Sequence, residues 1–196
     1  MLLNKHDLLS HLLTYTNIDV NRKNNFDQTP IYYFITNNKI ESLKLLLTHK
    51  CIHVNQQYDD KLTLLHYDIK YRYDSYVILL LSHESINVNL QDDNELTPLH
   101  YAAKDGNIEC LQLLLKLNNV NVNIQDNLGY TPLYIEGKNS KSECAKALLA
   151  HDNININIMP SDSFALIHLA SSVPLVDTLK NILNTPKVDL NSQVWT

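Results

Sequence analysis

Apolar residues recur along this chain in a pattern that repeats every 34 residues. In Leu96–Asn123, LTPLHYAAKDGNIECLQLLLKLNNVNVN, a Thr-Pro pair opens a short helical run and a Gly interrupts it. A Leu-rich run follows, and Val-Asn closes the unit. Thr29, Thr63, Thr97 and Thr131 stand 34 residues apart, as do Asn21, Asn55, Asn89, Asn123, Asn157 and Asn191. A period of this length marks a stack of repeated units and decides the architecture ahead of local propensity.

Within each unit two helices are expected. Thr29-Pro30-Ile31-Tyr32 opens the first helix of its unit: Thr is a good N-cap, and Pro at the next position lacks an N–H that would have no partner there. Thr63-Leu64-Leu65-His66, Thr131-Pro132-Leu133-Tyr134 and Ala165-Leu166-Ile167-His168 hold the same place. The second helices carry an apolar face at Ile40, Leu43, Leu46 and Leu47, then at Val77, Leu80 and Leu81, at Ala145, Leu148 and Leu149, and at Leu179, Ile182 and Leu183. Neither helix is long enough to stand alone in water, so each buries its face by stacking on a neighbour.

This gives repeats at 22–55, 56–89, 90–123, 124–157 and 158–191. Residues 1–21 form a half-repeat, a lone second helix suited to capping the stack, because terminal units are usually atypical. Residues 192–196 read as the start of a hairpin that is not completed. The whole, 1–196, is expected to be a single all-α domain without interruption.

The run Thr97-Pro98-Leu99-His100-Tyr101-Ala102-Ala103, then Gly106, Leu114-Leu115 and Val122-Asn123, resembles the ankyrin repeat. The likeness covers nearly the whole chain. It implies an ankyrin-repeat solenoid of stacked helix-turn-helix units with hairpins projecting to one side. In that family the Thr and His side chains tie the hairpin to the first helix, and the Asn of Val-Asn braces the hairpin. The chain departs from the family in several places. The period is 34 residues rather than about 33, with the extra residue near Asn118-Asn119. An Asn there can take the left-handed conformation that ends a helix, at modest cost. At the inter-helix Gly the other units have Asn38, Arg72, Ser140 and Pro174, and at Ala102 they have Phe34, Asp68, Glu136 and Ala170. Repeats two and four are therefore expected to pack less well than repeat three.

A formal net charge of −5 argues against a nucleic-acid backbone or an anionic membrane as the main partner. The N-terminal MLLNKHDLLSHLL is broken by Asn4, Lys5, His6 and Asp7, which leaves no signal-peptide core. No apolar run reaches the ~18 residues of a membrane span. Cys51, Cys110 and Cys144 are odd in number and widely spaced, the pattern of free thiols in a reducing compartment. The expected location is the cytoplasm, or a host cytosol if the chain is a secreted effector.

Candidate chemistry is sparse. His66, His100 and His168 fall in the hairpin-tying register. His49, His83 and His151 form a second register at the end of the second helix, where a solvated ring favours the helix dipole when protonated. Equivalent residues of stacked units lie about 8–10 Å apart, too far to share one metal ion or to form a Cys110–Cys144 disulfide. Asp68 and Glu136 lie two units apart, beyond the reach of a paired-carboxylate mechanism. With Gly106, Gly129 and Gly137 as the only glycines, no Gly-rich phosphate loop exists. The chain is expected to be no enzyme, with no cofactor and no metal.

The resemblance implies binding through hairpin tips and the exposed side of the first helices, which together line a concave face. The residue before each opening is Gln28, Leu62, Leu96, Tyr130 and Phe164. Leu62, Leu96, Tyr130 and Phe164 are expected to form an apolar stripe, with Phe26, Leu128 and Met159 at hairpin tips and Tyr71 at a helix end beside it. Exposed aromatic residues on a polar rim are what interaction hot spots favour. The alternative is that these side chains fold inward and staple the hairpins. Asn89 and Asn123 also match the position that asparaginyl hydroxylases modify in ankyrin repeats.

The expected function is a non-catalytic protein–protein interaction module, a scaffold or adaptor, acting as a monomer. The alternative is a recruiting portion of a secreted effector or larger enzyme whose catalytic part lies outside this chain.

Overall fold

The computed structural model describes residues 5–15, 17–139 and 142–158. The expected fifth repeat, the segment 192–196 and the candidates Met159 and Phe164 lie outside them. Among the described residues the helices are α1 (Lys5–Leu12), α2 (Pro30–Thr36), α3 (Ile40–Leu46), α4 (Leu64–Lys70), α5 (Asp74–Leu81), α6 (Pro98–Asp105), α7 (Ile108–Leu115), α8 (Pro132–Asn139) and α9 (Ser142–Leu149), with no strand. The chain forms two compact units, residues 1–56 with 75–86, and residues 57–74 with 87–196.

In the first unit, α2 packs on α3 and α1 packs on α3, as a lone second helix should. Its core is Ile31, Ile35, Leu43, Leu46, Val77 and Leu80, the residues the helical period selects. Thr29 starts α2 by accepting the Tyr32 N–H at 3.4 Å, and Pro30 occupies the first turn. The turn into α3 passes through Asn38, whose φ of 52° is left-handed. The Tyr76 hydroxyl donates to the Asn38 side chain at 2.8 Å.

In the second unit, α4 packs on α6 and α6 on α8, while α7 packs on α9. First helices stack on first helices, and second helices on second. Leu64, Leu65, Ile69, Leu99, Leu111, Leu114 and Leu148 are fully or almost fully buried there. The Gly106 turn between α6 and α7 has φ 63°, and Arg72 holds the equivalent turn at φ 59°. A residue with a Cβ costs about 1–2 kcal/mol in that conformation.

Each hairpin is a five-residue loop closed by the same pair of backbone bonds. Asp126 N–H donates to Tyr130 O and Gly129 N–H to Asp126 O, both at 2.9 Å. Asp92 to Leu96, Tyr58 to Leu62 and Asn24 to Gln28 repeat this closure. The fourth residue is left-handed each time: Asp27, Lys61, Glu95 and Gly129. In three of the four loops a side-chain oxygen of the first residue gathers two further N–H groups. Asp126 Oδ1 takes Leu128 and Tyr130, Asp92 Oδ1 takes Asn94 and Leu96, and Asn24 Oδ1 takes Phe26 and Gln28. The remaining hairpin has Tyr58 in that place, and there a second residue, Asp60, is also left-handed.

No residue from 116 to 121 has positive φ, so Asn118 and Asn119 do not end α7 in the left-handed conformation. The helix instead passes through right-handed Lys116 and tightens, Leu117 N–H donating to Leu114 O and Val120 N–H to Leu117 O. The left-handed residues lie in the hairpins and inter-helix turns.

Repeat two carries the defect its sequence announces. Asp68 is 0% exposed and neither carboxyl oxygen has a hydrogen-bond partner. In α6 the same position is Ala102, which packs without a polar group to satisfy. Amide hydrogens of α4 are therefore expected to exchange faster than those of α6, read by native-state hydrogen exchange. Equal protection would contradict this.

Candidate functional site

The residues that the repeat pattern singles out are scaffold. His100 is fully buried, and its Nδ1 lies 3.0 Å from the Thr97 N–H and 2.8 Å from the Thr97 hydroxyl. Its Nε2 donates to Tyr130 O of the next hairpin at 3.1 Å. His66 does the same with Thr63 and with Leu96 O. Facing a carbonyl, Nε2 carries the proton, and Nδ1 accepts. Burial holds both imidazoles in the neutral form, pushing His100 down to about 4 and lowering His66 below its ordinary 6.5. The expected hairpin tie is present, and it also joins each repeat to the next.

The Asn of each closing pair reaches one repeat further. Asn89 Nδ2 donates to Asn119 O at 2.7 Å, and its Oδ1 accepts from the Asn121 N–H at 2.8 Å. Asn123 holds residues 153 and 155 in the same way, and Asn21 holds 51 and 53. The brace thus runs to the loop after the next second helix rather than to the hairpin alone. A parallel ladder runs through the glutamines: Gln57 Nε2 donates to Gln91 O, and Gln91 Nε2 to Gln125 O. Both ends of the Asn89 and Asn123 carboxamides are engaged in this bracing.

His49, His83 and His151 are half-buried, and their Nδ1 atoms accept from backbone N–H groups two residues ahead at 3.2–3.3 Å. Cys110 and Cys144 are buried free thiols, and Cys51 is exposed. Burial, and then the Asp74 carboxylate 3.4 Å away, push the Cys110 thiol up to about 12. An alkylating reagent at neutral pH is expected to label Cys51 quickly and leave the two buried thiols until the chain unfolds, as read by mass spectrometry.

The candidate binding residues divide into distinct environments. Phe26 is 83% exposed at its hairpin tip in the first unit. In the second unit Leu128 and Tyr71 are exposed, while Leu62, Leu96 and Tyr130 are half-buried. The stripe is thus neither wholly core nor wholly free. Tyr130 lies flat on Tyr134, ring centroids 4.6 Å apart, which staples that hairpin. Tyr71 clusters with Tyr67 and Tyr73, with centroids 4.4 and 6.3 Å from its own, and Lys70 lies 5.6 Å from its ring.

The structure brings Leu96, Leu128 and Tyr130 together around one open groove of about 430 Å3. Asn94, Lys104, Asp126, Asn127 and Ile135 complete its lining, and these five were not singled out by sequence. The signal that finds two of them is a comparison of registers: Ile135 stands one period after Tyr101, and Asp126 one period after Asp92. Asp92 Oδ2 accepts the Tyr101 hydroxyl at 2.7 Å, tying hairpin to helix and raising the phenol's pKa well above its ordinary value through burial and then this bond. Ile135 has no hydroxyl to offer Asp126, and the groove lies there.

Comparison with known proteins agrees with this architecture. The family description "Ankyrin repeats (3 copies)" matches over residues 1–92, 77–160 and 99–193. The chain belongs to the ankyrin repeat family, a class that generally serves as protein–protein interaction modules. An ankyrin repeat domain from Acinetobacter baumannii AYE superposes with a TM-score of 0.77 at 21% identity, covering 91% of each chain. A second ankyrin repeat protein gives 0.75 at 20% identity, covering 92% of each. No curated protein matches the chain. The all-α ankyrin fold implied by the resemblance is the fold of these structures. Among the described residues, no His, Cys, Asp and Glu side chains gather as a metal site, and no helix is long and apolar enough to cross a membrane.

Proposed function

We propose that this chain is a non-catalytic binding module that holds a partner protein, as a monomer, through its hairpin tips and the exposed side of its first helices. The observation that carries this reading is the groove formed by Leu96, Leu128 and Tyr130. The motif residues Thr97, His100 and Asn123 are consumed by bonds within the stack. The groove residues, in contrast, leave apolar surface beside polar hairpin tips, which is the composition of an interaction hot spot. Phe26 and the Tyr67–Tyr71–Tyr73 cluster supply further exposed aromatic surface within their own units. The acidic balance of the chain favours a protein partner over a nucleic acid.

Selection of a displayed peptide library against the whole chain tests this. Enrichment of a common sequence is expected, with its binding blocked by bulky labels placed at Leu128 or Asn127. Failure to enrich any sequence, or enrichment insensitive to those labels, counts against the reading.

A further inference from the structure

Hairpins 92–96 and 126–130 share one backbone architecture and differ in the contact their leading Asp makes with the first helix. In the first, Asp92 divides its carboxylate: Oδ1 holds the N–H groups of Asn94 and Leu96, and Oδ2 holds the Tyr101 hydroxyl at 2.7 Å. In the second, Asp126 Oδ1 holds Leu128 and Tyr130, and Oδ2 takes no donor from the described residues. The helix position that supplied the phenol is now Ile135, which lines the groove together with Asp126. What is missing there is a phenol: an apolar ring's worth of space with a carboxylate oxygen at its edge. Leu96, Leu128 and Tyr130 provide apolar and aromatic walls.

The surrounding charge narrows the partner. The sequence has no Lys or Arg from residue 73 to 103 or from 117 to 137, while the two hairpins carry Asp92, Asp93, Glu95 and Asp126. Of these, Asp93 is paired with Lys61 at 3.0 Å, and the charged side chains that line the groove itself are Asp126 and Lys104.

Resting on the reading of the chain as a protein-binding module, we infer that this groove is a tyrosine subsite. It takes a Tyr side chain from a partner segment, and the phenol donates to Asp126 Oδ2 as Tyr101 does to Asp92. A phosphotyrosine is excluded, because its charge of about −1.5 to −2 would face a carboxylate.

The test uses the whole chain and three synthetic peptides, acetyl-Lys-Lys-Tyr-Lys-Lys-amide and its phenylalanine and phosphotyrosine counterparts. Methyl chemical shifts of Leu96, Leu128 and Ile135 report binding. The tyrosine peptide is expected to shift them saturably, the phenylalanine peptide to bind about tenfold more weakly, and the phosphotyrosine peptide not to bind. Ile135→Tyr supplies the phenol from within and is expected to abolish binding. Equal affinity for the tyrosine and phenylalanine peptides, or wild-type affinity in a folded Ile135→Tyr variant, overturns the subsite. If that variant does not fold, the tyrosine–phenylalanine comparison decides alone. Enrichment of library peptides without tyrosine overturns the subsite and leaves the binding-module reading standing, whereas failure to enrich any peptide overturns that reading.

Discussion

Asp68→Ala raises the melting temperature at pH 7 by roughly 9–18 °C, equivalent to about 4.5 kcal/mol for a chain of this size. The carboxyl is fully buried on α4 with both oxygens unpartnered, and burial alone raises its pKa from 3.8 to about 8. The helix packed on α4 within the same unit, α6, carries His100, Lys104 and Asp105, and none of them contributes to that shift. The direction of the pH dependence follows. The folded chain keeps this proton up to about pH 8, whereas the unfolded chain releases it near 3.8, so the folded state binds more protons in between. Stability from this group is complete below 3.8 and falls by about 1.4 kcal/mol per pH unit as pH rises towards 8. Alanine, which serves at position 102, removes both the desolvated group and the slope. Asp68→Asn removes the slope but keeps an unpartnered polar group, so its gain is smaller. Thermal unfolding of the three proteins from pH 4 to 8 checks this; an Asp68→Ala variant no more stable than wild type at pH 7 contradicts it.

His100→Ala acts in the opposite direction and lowers stability by about 3–5 kcal/mol. One ring joins Thr97 to the Tyr130 carbonyl, and its removal leaves the Thr97 N–H without that acceptor and the carbonyl with only the Asp126 N–H. A cavity also opens at a site with 0% exposure. The neutral ring gives this bond its own pH window. The unfolded imidazole takes up a proton below 6.5 and the folded one only near 4, so stability is complete above 6.5 and falls as pH falls through that interval. His66, lowered in the same direction, adds to the loss. Together with Asp68 these groups place the stability maximum of the wild type near pH 6.5, with His100→Ala showing a shallower acid limb. Denaturant unfolding as a function of pH measures it; a loss under 1 kcal/mol at pH 7 would assign the ring a minor role.

These opposite signs show which parts of the structure the sequence made legible. The period located the Thr, His and Asn registers, and each forms its bond in the described repeats, because a bond made between neighbouring units must recur at the repeat spacing. Asp68 was visible as a departure from a small residue, and the structure supplied its consequence, a carboxyl with no donor within reach. The hairpin geometry was less legible. Gly129 meets the left-handed requirement that Asp27, Lys61 and Glu95 also meet, and these three carry no glycine to announce it. The end of α7 was not legible at Asn118 and Asn119, where the helix tightens through Leu117 N–H to Leu114 O and no residue turns left-handed.

The candidate site shows the same limit. Leu96, Leu128 and Tyr130 were visible as apolar residues at hairpin positions, but their convergence on one groove depends on what is absent from Ile135. A missing hydroxyl acquires meaning only when Tyr101 is seen holding Asp92. The even choice between stripe and staple also had no answer in the sequence. Tyr130 stacks on Tyr134 and is also among the residues that line the groove.

The central claim is that the repeat motifs build the stack while Leu96 and Tyr130 contact the partner. Its most direct test compares a library-selected peptide on the wild type and on the Leu96→Ser, Tyr130→Ser double variant, with melting measured on the same samples. More than tenfold weaker binding, with a melting temperature lowered by only a few degrees, is the predicted result. Undiminished binding, or a collapse of the melting transition that makes these side chains core, would contradict it.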